Sequence, residues 1–122
     1  MFDNSVNSER YLLTYENALH NVAPNPPPAE VRDFGDYEHL SEPVWDERRI
    51  NNINQHFVTA FLNHYLTNQD HSSYLSPAVE DANLGVTSVD EAGNPNDDHT
   101  YWTGFLPRTA IGMTLRAESA DS

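Results

Sequence analysis

A chain of 122 residues is room for one domain. Six basic residues, all of them arginine, stand against nineteen acidic ones for a net charge of −13, so a duplex phosphate backbone and an anionic membrane surface both repel it, and neither nucleic acid nor membrane is an expected partner. Leu, Ile, Val and Phe make up about 21% of the residues, just above the ~20% level below which a highly charged chain stays disordered, and the expected core is thin.

Residues 9–16, ERYLLTYE, read as a strand. Tyr11, Leu13 and Tyr15 share one face and Leu12 takes the other, which suits an internal strand of a sheet covered on both sides. The stretch that follows, NALHNVAPNPPPAEV, carries Pro24, Pro26, Pro27 and Pro28, which forbid a helix and remove ladder donors. The order is strand, His20, stiff extended loop. Residues 42–67 predict a long amphipathic helix, with Ser41 as N-cap and Pro43 in the first turn. At helical spacing Ile50, Ile53, Phe57, Ala60, Phe61 and Tyr65 form one stripe, and Arg49, Asn52, His56, Thr59 and Asn63 fall opposite. Residues 68–75 are polar and turn-like. Residues 81–99 form an acidic loop broken by Gly85, Gly93 and Pro95. The tail brings Trp102 and Phe105 as packing anchors, Arg108 as a candidate partner for an acid, and a short strand over 110–116.

These elements do not close on themselves. A lone pair of strands is marginal, and strand, loop, helix is half of an α/β layer pattern. The expected fold class is α/β, with residues 1–122 a single partial domain whose remaining sheet is missing. The helix stripe needs another surface to cover it. The absence of cysteine excludes a disulfide framework, a thiol nucleophile and a Cys-based zinc site. No apolar run approaches the ~20 residues of a membrane span. The start, MFDNSVNSER, has neither the basic nor the apolar region of a signal peptide, so the cytoplasm is the expected compartment.

His20 is the candidate for chemistry. It lies just past the end of a strand, where open α/β sheets carry reacting groups, and an imidazole titrates near neutrality, as a general base must. The same position also suits a loop histidine bonded to a backbone carbonyl. The segments FDNSVNSERYLLTYENALHNVAPNPPP, EPVWDERRINNINQHFVTAFLNHYL and YWTGFLPRTAIGMTLRAE resemble the C-terminal part of α/β-hydrolases of the dienelactone-hydrolase-like family. The resemblance spans nearly the whole chain apart from 81–99, and its most specific pieces are LLTYENALHNVAPNPPP and WDERRINNINQHF. It implies the last strand of the main sheet, a histidine loop, a long helix and a short tail strand. It also implies hydrolysis of an ester or lactone through an acyl-serine, with His20 as the triad histidine and Asn21 supporting it through hydrogen bonds. The chain departs from the family in having no G-x-S-x-G. The resemblance places the serine and the acid before Met1, and Asp3 is too close to the strand to be that acid. A histidine without its serine has nothing to deprotonate, so the chain alone is expected to be inactive.

Other constellations point to packing. His56 and His64 are eight residues apart, roughly 12 Å along a helix, too far for one ion to bridge. His39, His64 and His71 meet only through tertiary structure, and His64 beside the stripe reads as a core histidine. The run DEAGNPNDD lacks the spaced oxygen ligands of a calcium loop. No metal or other cofactor is expected. Arg48 and Arg49 sit beside Asp46 and Glu47 as a surface-paired group. The expected partner is an N-terminal hydrolase half, or a second copy. The rival reading is a small non-catalytic domain that uses its apolar helix face to hold a partner or to form a homodimer.

Overall fold

The computed structural model describes residues 1–22, 27–31, 33–35, 39 and 41–121. Pro24 and Pro26 of the expected stiff loop lie outside the described residues. Strand β1 (Arg10–Tyr15) pairs antiparallel with β2 (Met113–Glu118), Leu13 opposite Leu115. Helix α1 (Glu47–Leu66) covers one face of this pair, and a single-turn helix α2 (Ser72–Leu75) follows it. The architecture is mixed α/β: one long helix on a two-stranded antiparallel sheet. Among the described residues no helix is long and apolar enough to cross a membrane.

The helix begins five residues later than the pattern predicts. Asp46, in extended conformation, is the N-cap, and its Oδ1 accepts from the Arg49 amide at 2.7 Å. Ser41 does not cap it, because the backbone between is committed elsewhere: the Glu42 carboxylate accepts from the Val44 and Trp45 amides at 3.0 and 3.3 Å. That turn swings Trp45 under β1, where its indole N–H donates to Glu16 O at 2.8 Å. The helix ends at Thr67, whose amide donates to Asn63 O, just before Asn68 takes φ 55°.

The stripe is covered from within the chain. Ile50, Ile53, Phe57 and Ala60 pack with Trp45, Leu75, Ala82, Tyr101, Trp102, Ala110, Met113 and Leu115 into one cluster. Burying a side chain the size of Ile or Phe contributes ~1.5–3 kcal/mol, so three such residues on one helix face hold it against the sheet. Phe61 and Tyr65 of the expected stripe remain part-exposed at 42% and 38%. The expectation of a missing covering surface is corrected by the tail. Trp102 inserts its indole with Nε1 donating to Val79 O at 2.8 Å, and the Tyr101 hydroxyl accepts from the Ala110 amide at 3.0 Å.

Four further readings change. The expected turn at 68–75 contains α2, because the Asp70 carboxylate accepts from both the amide and the hydroxyl of Ser72 and so starts the helix that buries Leu75. The tail strand begins at Met113, three residues late, since Gly112 at φ 86° turns the chain beside Trp45. The acidic loop is built rather than merely solvated: Ala82 is buried, Asp81 bridges to Thr114, and Val89 bridges to Pro95 around a turn organised by Asp90. Among the described residues β1 pairs with β2 alone, not on both sides as expected. Its odd residues face α1, with Tyr15 edge-on to Trp45 at 5.1 Å, while Leu12 on the other face is 43% exposed.

Candidate functional site

His20 opens a short 3-10 turn (His20–Val22), five residues beyond the last residue of β1, and its side chain is exposed. The turn is anchored on both sides of the histidine. The Leu19 amide donates to Glu42 Oε2 at 3.0 Å, and the Asn21 side-chain amide donates to His39 O at 2.7 Å and Ser41 O at 3.1 Å. Asn54 on α1 adds a third tie, donating to Val22 O at 3.3 Å. Asn21 therefore holds the carbonyls of His39 and Ser41 and not the imidazole. Among the described residues none hydrogen-bonds the His20 ring.

Glu42 was not visible as a structural residue in the sequence. It is 6% exposed. Its two oxygens accept from the amides of Leu19, Val44 and Trp45, and its own amide donates to Glu47 Oε1. A buried carboxylate is costly unless hydrogen-bonded, and here three backbone donors satisfy it. The signal in the sequence is the spacing in SEPVW, an acid two and three residues ahead of amides that a proline-led turn leaves unpaired. Glu42 ties the His20 turn to the start of α1, but its lone pairs are occupied by backbone and do not orient an imidazole.

His56 is the larger surprise. The helical pattern sets it on the solvent side, yet its ring lies edge-on to Phe57, Tyr74 and Phe105 at centroid distances of 4.9, 5.2 and 5.1 Å. Its Nε2 is buried without a hydrogen-bond partner. The cause is the tail: Gly104, at φ 88°, lets the backbone come so close that a Cβ there would stand 2.7 Å from His56 Cε1. Burial lowers the pKa of His56 from its usual 6.5, because the charged ring has lost water and gained no acceptor. An open cleft of about 570 Å³ beside it is lined by Arg48, Arg49, Asn52, Ile53 and Phe105.

The remaining candidates take structural places. His64 Nδ1 accepts from the His71 amide at 3.3 Å, and His99 Nδ1 accepts from the Ser88 amide at 3.0 Å. Among the described residues no three of His, Asp and Glu are gathered as a metal ion would require. Arg49 does not form the expected ion pair; its guanidinium lies over the Trp45 ring at 5.0 Å and donates to Thr109 O at 2.6 Å. Arg108, expected beside an acid, occupies a left-handed turn at φ 67°, and no ion pair of it is found among the described residues. The structure thus brings His20, Asn21 and Glu42 into one tied corner at the end of β1, and keeps His56, His64 and His99 apart from it. Comparison with protein-family models, with curated proteins and with solved structures finds no match for this chain.

Proposed function

We propose that this chain is the C-terminal part of a serine-type α/β-hydrolase and contributes the triad histidine, His20, to ester or lactone hydrolysis. One observation carries the reading: an exposed imidazole past the carboxyl end of a strand, without a hydrogen bond among the described residues, on a turn held by Leu19, Asn21 and Val22. In that role His20 would take the proton of a serine supplied by a partner half and pass it to the leaving group. Asn21 acts at one remove, by fixing the backbone that carries the ring. The remaining strands would attach through the open edge of β1. Alone, the chain offers a base with no nucleophile, and a lone imidazole without positioning is a poor catalyst.

A second reading rests on a different observation. Twelve buried apolar residues among those described form one core without help from another chain, which favours a stand-alone, non-catalytic domain that binds through its remaining apolar surface. One experiment separates the two. The chain is co-expressed with the segment encoded directly upstream, and hydrolysis of an activated short-chain ester is measured for the wild type, His20→Ala and His99→Ala. The hydrolase reading expects activity that His20→Ala abolishes and His99→Ala leaves intact. Full activity in His20→Ala, or an upstream segment without G-x-S-x-G, overturns it in favour of the binding domain.

A further inference from the structure

The two edges of the sheet differ. The outer edge of β2 is engaged at its middle, where the Leu115 amide donates to Glu80 O at 2.9 Å and Thr114 bridges to Asp81. In an antiparallel ladder alternate residues aim their N–H and C=O at alternate edges. The Glu16 amide donates to Gly112 O at 2.8 Å, so Arg10, Leu12, Thr14 and Glu16 point inward to β2 while Tyr11, Leu13 and Tyr15 point outward. Among the described residues nothing hydrogen-bonds the outward groups of Tyr11 or Leu13. The strand carries no proline, lysine or bulge, the devices that normally guard an edge.

We propose that this edge pairs with the same edge of a second copy, antiparallel and centred on Leu13. The sequence Arg10-Tyr-Leu-Leu-Thr-Tyr-Glu16 matches itself in that register. Leu13 faces Leu13 and Tyr11 faces Tyr15 as hydrogen-bonded pairs, using the outward groups, with the Tyr15 carbonyl sharing its oxygen with the Ala18 amide at 3.5 Å. Arg10 faces Glu16 and Leu12 faces Thr14 as the closer non-hydrogen-bonded pairs, and each occurs twice about the two-fold axis. Neighbouring registers lose this match: a centre on Leu12 sets Arg10 against Thr14, and a centre on Thr14 sets Leu12 against Glu16. Opposite charges directly across a sheet stabilise it, and like charges there destabilise it.

The helices fit the same assembly. Two strands span ~10 Å at the usual spacing, which is the width of one helix, so each α1 covers its own pair of strands and the two lie side by side. The surface that would line their contact is exposed and apolar: Val58 at 57% and Phe61 at 42% border a groove of about 460 Å³ between β1 and α1. Pairing turns a marginal two-stranded sheet into a four-stranded one.

This inference does not rest on either functional reading, and the hydrolase half would compete for the same edge. Sedimentation equilibrium across micromolar concentrations tests it, at ~150 mM salt so that the net charge of each copy is screened beyond ~8 Å. The wild type should sediment as a dimer. Leu13→Pro removes an outward N–H together with a side chain that packs on the core, so where it keeps the helix signal it should give a monomer. Arg10→Glu should raise the dissociation constant at least tenfold by setting like charges across the axis twice, and adding Glu16→Arg should restore it. A monomeric wild type, or a dimer indifferent to Arg10→Glu, overturns the pairing, as does a monomer that accepts a strand only from the upstream half. Should Leu13→Pro fail to fold, the charge exchange decides alone. An esterase result of either sign leaves these outcomes unchanged.

Discussion

On the β2 side of the sheet the chain returns to itself repeatedly: Glu80 bonds Leu115, Ala82 packs beneath, and Trp102 and Tyr101 are pinned to Val79 O and the Ala110 amide. On the β1 side nothing among the described residues pairs with the outward backbone of Tyr11 or Leu13, Leu12 is part-exposed, and hydrogen bonds tie down a His20 turn of which Val22 packs only partly on the core. The two sides belong to one small sheet, yet full burial dominates on one and polar ties carry more of the other. Burial scales with area and is hard to undo by one change at the rim, whereas a polar tie depends on its one acceptor. The open side is therefore where chemistry or assembly can be placed at small cost to the fold, and the closed side is where the fold is decided.

Trp102→Ala should have the largest effect. It removes a 3% exposed side chain that meets Phe57 and Phe105 edge-on at 6.0 Å each and donates to Val79 O. The expected loss is ~3–5 kcal/mol, a large share of the 5–15 kcal/mol typical of a domain. Leu12→Ala on the open side should cost less than ~1 kcal/mol by the same measure, since its side chain is already largely in water. Urea unfolding followed by circular dichroism compares them, and equal losses would break the distinction between the two sides.

Two glycines sharpen it at the next level. Gly104 and Gly93 both have positive φ, at 88° and 86°, so alanine meets a similar backbone penalty of ~1–2 kcal/mol in each. Only Gly104 also abuts rings, with His56 Cε1 at 2.7 Å and Tyr74 Cε1 at 3.0 Å from the added Cβ, whereas nothing lies within 4 Å of Gly93. Gly104→Ala should be worse than Gly93→Ala by a further ~1–3 kcal/mol of overpacking. Matching melting temperatures for the two variants would mean that the tail is not wedged against α1.

On the polar side, Glu42→Ala should cost ~1–3 kcal/mol, the penalty for stranding buried donors. The loss should be local in character. Amide exchange at Leu19 and Trp45 should quicken more than at Ile53 or Met113, which sit in the core. Uniform quickening across the chain would instead place Glu42 among the residues that decide the fold.

Much of α1 could be read from the sequence, because Ile50, Ile53, Phe57 and Ala60 repeat at helical spacing and are buried as that repeat demands. Its start could not. Asp46 and Ser41 are both good caps, and the choice between them was made by Glu42, whose carboxylate bends the intervening backbone through contacts no periodicity encodes. Both strands were legible to within a few residues, but their antiparallel pairing and open edge were not, since a strand's pattern reports its faces and not its neighbours. The place of His20 after β1 was legible for the same local reason that β1 was. The cage around His56 was not: Tyr74 and Phe105 approach it from segments that carry no repeat, through a glycine whose importance lies in what it lacks.

The smallest effect tests that cage by pH. Burial lowers the folded-state pKa of His56 below its ordinary 6.5, and the unfolded chain keeps the ordinary value. Between the two values the unfolded state binds more protons than the folded one, so stability rises with pH through that window. The contribution of His56 is complete above 6.5 and is lost progressively as pH falls from 6.5 towards the folded-state value. The groups around the ring are aromatic on three sides, from α1, α2 and the tail. The charges bordering the adjacent cleft are Asp46, Arg48 and Arg49, and His71 lines the cleft on the other side. His56→Phe keeps a ring in the cage and removes the titration. Melting temperatures at about pH 7.5 and about pH 5.5 should fall further on acidification in the wild type than in His56→Phe, with the other histidines cancelling in the difference. An identical fall in both would show that water reaches His56 Nε2, and that the tail closes over the helix less tightly than the wedge at Gly104 implies.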